Sequence, residues 1–179
     1  KGDMTINGGT FDGQVWVQAV DNSAKLTVNG GTFEPNGQDA SSVFVSNATY
    51  DIEFAVAGGT FNGKIGANDA TKLAGAVAGG KFTETAKSGT SAALISETAT
   101  FGELVDGYST IEKAVASING VGYLTLADAF AAAQDGDTIK LVSDIATSEA
   151  ITNTKKVTLD LNGKTITGTD NTTKSFAII

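Results

Sequence analysis

The 179-residue sequence contains no cysteine and no histidine. Without cysteine the chain has no disulfide framework and no thiolate zinc site. Without histidine it lacks the commonest general base and metal ligand. We therefore expect no catalytic residues, no metal site and no cofactor.

Arginine is also absent, and twelve lysines against twenty acidic residues give a formal net charge of −8. Nucleic acids bind to cationic surfaces, so this charge argues against a nucleic-acid partner. No run of about 18 apolar residues occurs, so we expect no membrane insertion. The first residues, Lys1-Gly2-Asp3, lack the apolar core of a signal peptide. A mature secreted product, a piece of a longer protein and a cytoplasmic protein all remain open.

Proline occurs once, among 22 glycines. Scarce proline fits a chain whose backbone N–H groups are mostly used in strand ladders. The glycines recur at fixed places in a repeated phrase, where glycine serves tight turns.

The repeated phrase first reads Met4-Thr5-Ile6-Asn7-Gly8-Gly9-Thr10-Phe11. It returns at residues 26–33 and 54–61, and in a weaker form at 75–82. Each copy ends in a phenylalanine, and these residues are 22, 28 and 21 positions apart: Phe11, Phe33, Phe61 and Phe82. A fixed period in this range is typical of stacked structural units.

Each copy of the phrase predicts a strand that runs into a corner. Apolar residues alternate with threonine or alanine before the Gly-Gly pair, which indicates a strand with one buried face. The Gly-Gly pair is expected to turn the corner and the phenylalanine to point inside. A second strand follows, such as Val15-Trp16-Val17 or Val43-Phe44-Val45.

These coils predict an all-β fold, a right-handed parallel β-helix (β-solenoid) with coils of about 22 residues. Equivalent residues would stack about 4.8 Å apart. The four phenylalanines would then form an internal ladder, and Asn7 and Asn29 a short amide ladder. A β-sandwich of hairpins is the weaker alternative, because hairpins do not require one phrase at the spacing of a coil. The coils are assigned to residues 1–110.

Residues 115–179 carry a different pattern, so we place a boundary near 110–116. One short amphipathic helix is predicted near 125–134, with Thr125 as its cap and Asp128 three positions later. Strands are predicted at 138–142 and 157–161.

The helix is followed by Asp135-Gly136-Asp137. A polar helix stop explains these two carboxylates better than a metal site does.

Residues 123–130, 134–141 and 157–166 resemble the opening of β-helix modules in large bacterial surface proteins. These modules are pectin-lyase-like in fold and common in gut Firmicutes. The Asn-Gly-Gly-Thr-Phe coils resemble their later coils, and residues 104–108 resemble the phrase that closes them. The resemblance implies a bacterial cell-surface, extracellular location and carries no catalytic residues.

The order of the two parts is inverted relative to those modules, in which the helix-containing segment comes first. Truncation of a longer multi-module protein is one explanation. Assembly is another: one chain's second region would stack on the next chain's first coil, since open solenoid ends are edges that invite pairing. A contact that does not close makes a head-to-tail filament. A third possibility is that the C-terminal segment folds back onto the first coil of its own chain.

Assembly would create a seam with two sides. The residues predicted on the first side are Val157, Leu159, Leu161, Ile166, Phe176 and Ile178. The residues predicted to receive them are Met4, Ile6 and Phe11.

The sequence thus predicts a non-enzymatic extracellular structural protein that stacks with itself into a surface filament or scaffold. The alternative is a carbohydrate-binding or adhesion module of a larger surface protein, with glycans or a host surface as its partner. Trp16 lies between Val15 and Val17, so it points outward if they point inward, and an exposed tryptophan suits a sugar platform or an assembly contact. Packing of Trp16 under a loop is equally open.

A polysaccharide lyase or hydrolase is less favoured. Lyases of the resembling fold typically use an arginine or lysine base with a calcium-binding acid cluster. Its hydrolases need paired aspartates and a Gly-His-Gly motif, and this chain has neither arginine nor histidine.

Overall fold

The computed structural model describes residues 2–21, 24–35, 37, 40–148 and 151–169. The described chain is mostly β-strand with little helix, as the all-β prediction requires. It divides into two compact units. The first comprises Lys1–Ser96 with Phe101–Ile111, and the second comprises Glu97–Thr100 with Glu112–Ile179.

Three successive segments of the first unit each contribute one strand to each of three sheets, and these strands pair in parallel. Two of the sheets have three strands, in the orders β1-β4-β7 and β3-β6-β9. The third contains β2-β5-β8 and continues through later strands into a six-stranded sheet with an antiparallel pair. The nine strands are β1 (Asp3–Ile6), β2 (Thr10–Phe11), β3 (Val15–Gln18), β4 (Lys25–Val28), β5 (Thr32–Phe33), β6 (Ser41–Ser46), β7 (Glu53–Val56), β8 (Thr60–Phe61) and β9 (Lys64–Ala67).

Equivalent residues of the repeated phrase pair directly across these sheets. Ile6 is paired with Val28, and Val28 with Val56. All three are buried, because in a strand every second side chain faces the interior. The apolar alternation in the sequence therefore becomes a set of continuous apolar columns inside the first unit.

The phenylalanine ladder predicted from the sequence is present. The ring centroids of Phe11 and Phe33 are 4.9 Å apart, those of Phe33 and Phe61 5.0 Å, and those of Phe61 and Phe82 4.9 Å. Each pair is stacked, with interplanar angles of 0° to 17°. The amide ladder is present too, since the Asn29 Nδ2 donates to the Asn7 Oδ1 at 2.9 Å.

The glycines of the phrase are required by the corner. The second glycine of each pair has a φ between +97° and +118°, a region that side-chain-bearing residues rarely adopt. The first glycine lies against the preceding coil. A Cβ on Gly58 would be 2.6 Å from the Asn29 carbonyl oxygen, whereas a Cβ on Gly8 would have no heavy atom within 4 Å.

The coils differ in length at one corner. Residues 12–14 separate β2 from β3, and residues 62–63 separate β8 from β9, but residues 34–40 separate β5 from β6. The register between β6 and β9 shifts between Ser41 and Val43. The longer middle coil still keeps Val43 paired with Val15 on one side and with Ile65 on the other.

Beyond β9 the chain leaves the three-strand pattern. It continues with a 3₁₀ turn (Thr71–Leu73), β10 (Lys81–Phe82), α1 (Glu84–Gly89), a second 3₁₀ turn (Ala92–Leu94), β11 (Ala99–Phe101) and β12 (Ser109–Lys113). The helix α1 was not predicted from the sequence. Its N-cap is Thr83, whose side chain accepts a hydrogen bond from the Ala86 N–H.

The second unit combines antiparallel and parallel strands with one helix. β13 pairs antiparallel with β14 and β15, while β15 pairs in parallel with β17 and β16 with β18. The elements are β13 (Ala116–Ile118), β14 (Val121–Tyr123), α2 (Leu126–Ala132), β15 (Thr138–Leu141), β16 (Ile145–Thr147), β17 (Thr158–Asp160) and β18 (Ile166–Gly168).

The helix predicted near 125–134 is confirmed as α2. The Thr125 Oγ1 accepts the Asp128 N–H at 3.0 Å, which caps the first turn as expected. Leu126, Ala129 and Phe130 are buried in the core of the second unit, so the predicted apolar face is the packed face.

One ion pair links two segments of the second unit. The Lys140 Nζ is 2.8 Å from the Glu97 Oε1, and the Ser117 hydroxyl donates to the Glu97 Oε2 at 3.3 Å. The hydrogen bond from Lys140 is the main cause that lowers the pKa of Glu97 below its ordinary value of 4.5. Both side chains are partly exposed, so solvent screens the pair and it contributes about 1 kcal/mol or less.

We predict that Gly58→Ala lowers the free energy of unfolding by about 1–3 kcal/mol, because the new methyl group meets a backbone oxygen. Chemical denaturation at low protein concentration measures the change. Gly8→Ala is the matched control, since it makes the same change at the same place in the phrase and meets nothing. Equal effects of the two substitutions would contradict the close approach at Gly58.

The Glu97 carboxylate predicts an acid dependence of stability. Its pKa is lower in the folded chain, so its contribution is complete above about pH 4.5 and is lost as the pH falls through the folded-state pKa. In Glu97→Gln the fall in Tm from pH 6 to 3 should be shallower by at most about 2–4 °C.

The control is Glu103→Gln, which makes the same change at an exposed carboxylate. Thermal unfolding followed by circular dichroism at several pH values makes the comparison. A Glu97→Gln profile as steep as that of the unmodified chain would contradict the assignment.

Candidate assembly surface

The first coil, residues 3–18, presents three strand edges on one side of the first unit. β1, β2 and β3 are each the outermost strand of their sheet. Within the described residues, no strand pairs with the outer edge of any of the three. Unpaired edges of this kind are templates for pairing with further strands.

The other side of these sheets is covered by the weaker copy of the phrase at 75–82 together with elements outside the repeat. α1 packs on β9, and the Thr90 Oγ1 accepts the Ile65 N–H at 3.0 Å. β12 pairs antiparallel with β10. Val77 forms a bridge with Val56 and donates its N–H to the Leu94 carbonyl at 2.9 Å. The coverage is therefore one-sided.

The apolar columns show the same asymmetry. Met4 is 56% exposed, although its paired residue Leu26 is only 2% exposed. Phe11 is half-buried, whereas Phe33 behind it is fully buried. The sequence pattern placed Met4 on the inward face of its strand and on the receiving side of the predicted seam. Met4 is exposed because no coil lies in front of it among the described residues. Ile6 is buried as expected.

A hollow of about 420 Å³ opens beside these residues. Met4, Val15, Val17 and Leu26 contribute to its lining, as does Val20, which is 88% exposed. Val20 was not singled out in the sequence, and its only signal there is an apolar residue directly before the polar turn at 21–23. The open side of the first coil thus has a hollow with several apolar residues in its lining.

The residues predicted for the first side of the seam lie in the second unit. Val157, Leu159 and Ile166 are half-buried against its core, and Leu161 is 45% exposed. Within the described chain, β17 pairs only with β15 and β18 only with β16, so each has a second, unpaired edge. Phe176 and Ile178 lie outside the described residues.

Trp16 points outward, as its place between two inward valines predicts. It is 59% exposed, and its ring centroid is 5.4 Å from that of Phe44 on the next strand. Phe44 in turn covers Gly66, where a Cβ would be 2.9 Å from its ring. The two rings form a small aromatic surface on the outer face of the β3-β6-β9 sheet.

The two carboxylates after α2 accept backbone hydrogen bonds. The Asp137 Oδ2 accepts the Gln134 N–H at 2.8 Å, and the Asp135 Oδ1 accepts the Lys156 N–H at 3.0 Å. Asp137 therefore stabilises the turn that follows α2, in line with the predicted polar helix stop, whereas Asp135 joins this turn to the segment that precedes β17. The described part of the chain contains no group of three or more His, Cys, Asp or Glu side chains placed to hold a metal ion.

No helix in the described ranges has both the length and the apolar character needed to cross a membrane.

In comparisons with known proteins, no protein-family model, no curated protein and no solved structure matches the chain.

Proposed function

We propose that this chain is a non-enzymatic, extracellular structural protein. It would be a right-handed β-solenoid subunit that stacks head-to-tail with copies of itself into a bacterial surface filament or scaffold. The observation that carries the proposal is the one-sided coverage of the first unit, where three strand edges and an apolar hollow are open together.

The solenoid assignment is supported by the register of the first unit. Three segments each place one strand in each of three sheets, these strands pair in parallel, and the same positions of the phrase stack through them. The resemblance to β-helix modules of bacterial surface proteins supports the fold and the extracellular location. The lack of histidine supports a non-enzymatic role, because the resembling hydrolases need a Gly-His-Gly motif. The lack of arginine removes one of the two bases that the resembling lyases use.

Stacking would use the interaction that already joins the coils within one chain. Each apolar side chain that becomes fully buried contributes roughly 1.5–3 kcal/mol. Association costs about 4–15 kcal/mol in lost translational and rotational freedom, so no single contact suffices. The full set of columns and strand hydrogen bonds is needed, which makes assembly depend steeply on concentration and on register.

We predict that the purified chain forms elongated particles whose length grows with protein concentration. Negative-stain electron microscopy and sedimentation velocity over a concentration series measure this growth. Leu161→Lys should shorten the particles because it places a charge in an apolar column. Val121→Lys is the control, since it changes another exposed apolar residue outside the seam. A compact monomer at high concentration would show that the filament proposal is wrong.

A carbohydrate-binding role is the second candidate, and the outward pair Trp16 and Phe44 favours it. If it is correct, binding on a glycan array is lost in Trp16→Ala, because the ring on which a sugar stacks is removed. Tyr50→Ala, at another exposed aromatic residue, should leave binding unchanged. Binding that survives Trp16→Ala would count against this surface as the platform.

A further inference from the structure

The segment that forms β17, its turn and β18 has the same pattern as a coil of the first unit. Residues 159–168 read Leu-Asp-Leu-Asn-Gly-Lys-Thr-Ile-Thr-Gly, and residues 4–13 read Met-Thr-Ile-Asn-Gly-Gly-Thr-Phe-Asp-Gly. Apolar residues, asparagine, glycine and threonine occupy matching places without a gap. The alignment places every residue of the later segment opposite the residue 155 positions earlier.

From this match we infer the register of the joint between two copies: Leu159 to Gly168 of one copy pair in parallel with Met4 to Gly13 of a second copy. The inference rests on the proposed function and names the interface that would produce it. The second copy is the favoured occupant because the segment that fits the open coil belongs to this chain.

The apolar columns continue through such a joint. Leu159 would extend the column of Met4 and Leu26, whose exposed end is now Met4. Leu161 would extend the column of Ile6 and Val28. Leu161 and Val28 occupy the same position of the phrase. Val28 is fully buried, whereas Leu161 is 45% exposed in the single chain.

The aromatic and amide ladders continue as well. Ile166 would cover Phe11, which has a ring on only one of its faces among the described residues. In the existing ladder, the side-chain N–H of the later coil donates to the earlier coil, as Asn29 does to Asn7. In the joint, Asn7 of the second copy would lie beside Asn162 of the first copy.

The backbone of β18 directs its hydrogen-bonding groups to the side that this register needs. The Thr165 carbonyl accepts the Ile145 N–H at 2.9 Å, and the Thr169 N–H donates to the Thr147 carbonyl at 3.0 Å. Alternate residues of a strand point to opposite neighbours, so the Ile166 carbonyl is directed toward the open edge. Phe11, at the matching place, uses its carbonyl to accept the Glu34 N–H of the following coil at 2.9 Å.

A slip of one residue would turn Leu159 and Leu161 outward and is therefore disfavoured. A slip of two residues would leave the apolar side chains facing inward but would separate Asn162 from Asn7. The polar positions therefore select one register.

Disulfide trapping tests the register, because the chain has no cysteine of its own. Thr10→Cys and Thr165→Cys are made as separate variants, and both positions are exposed. In the joint these residues are directly opposite, about 4.8 Å apart, within the Cα–Cα range of a disulfide. Mild oxidation of the mixed variants should give several-fold more covalent dimer than either variant alone.

The matched control mixes Thr10→Cys with Thr167→Cys, also an exposed threonine on β18. Two residues out of register, this pair exceeds the disulfide range and should give little dimer. As much dimer from this control as from the Thr165→Cys mixture would overturn the register. The register would also be overturned if the mixtures gave no more dimer than the single variants while microscopy showed that particles still form.

Gly8→Ala gives a second, independent readout. A Cβ on Gly30 would be 2.8 Å from the Asn7 carbonyl oxygen of the coil in front. In the joint, Gly8 of the second copy would have the turn at Asn162 of the first copy in front of it. Gly8→Ala should therefore keep the Tm of the dilute chain and lose the elongated particles. Particles of undiminished length would overturn the register, whereas absence of particles in the unmodified chain overturns the proposed function instead.

Discussion

Stacking of like residues in parallel strands is the constraint on which the first unit depends. Each position of the repeated phrase has the matching position of the next copy as its neighbour, about 4.8 Å away. A residue is therefore suitable only if it can contact the side chain at the same position of the next coil. Phenylalanine stacks face to face, asparagine donates to and accepts from another asparagine, and glycine leaves room for the carbonyl in front of it.

This interaction has no internal limit, so a stack ends only where some other structure covers it. On one side of the first unit the covering includes elements that do not repeat, namely α1, the antiparallel strand β12 and the hydroxyl of Thr90. On the other side the first coil has no such element among the described residues. On that side, the same kinds of backbone groups and apolar columns that join the coils within the chain face outward.

Much of this arrangement can be predicted from the sequence, because period and alternation depend on local composition. The phenylalanine ladder, the amide ladder and the cap of α2 at Thr125 follow from such patterns. Other features depend on what lies beside a residue in space. Met4 has the same local pattern as Leu26 but a different neighbour, and the six-residue helix α1 is too short to show a period. The direction of the Ile166 carbonyl can be deduced only from the pairing of β16 with β18.

At the longer corner between β5 and β6, the number of residues in the coil changes while the positions of its stacked residues do not. Residues 34–40 lengthen the second coil, yet Val43 and Phe33 keep their places in the columns. Spacing along the chain and spacing along the stack are therefore independent at this corner. The chain therefore carries additional residues between two strands of one coil while the stacked positions on either side continue from coil to coil.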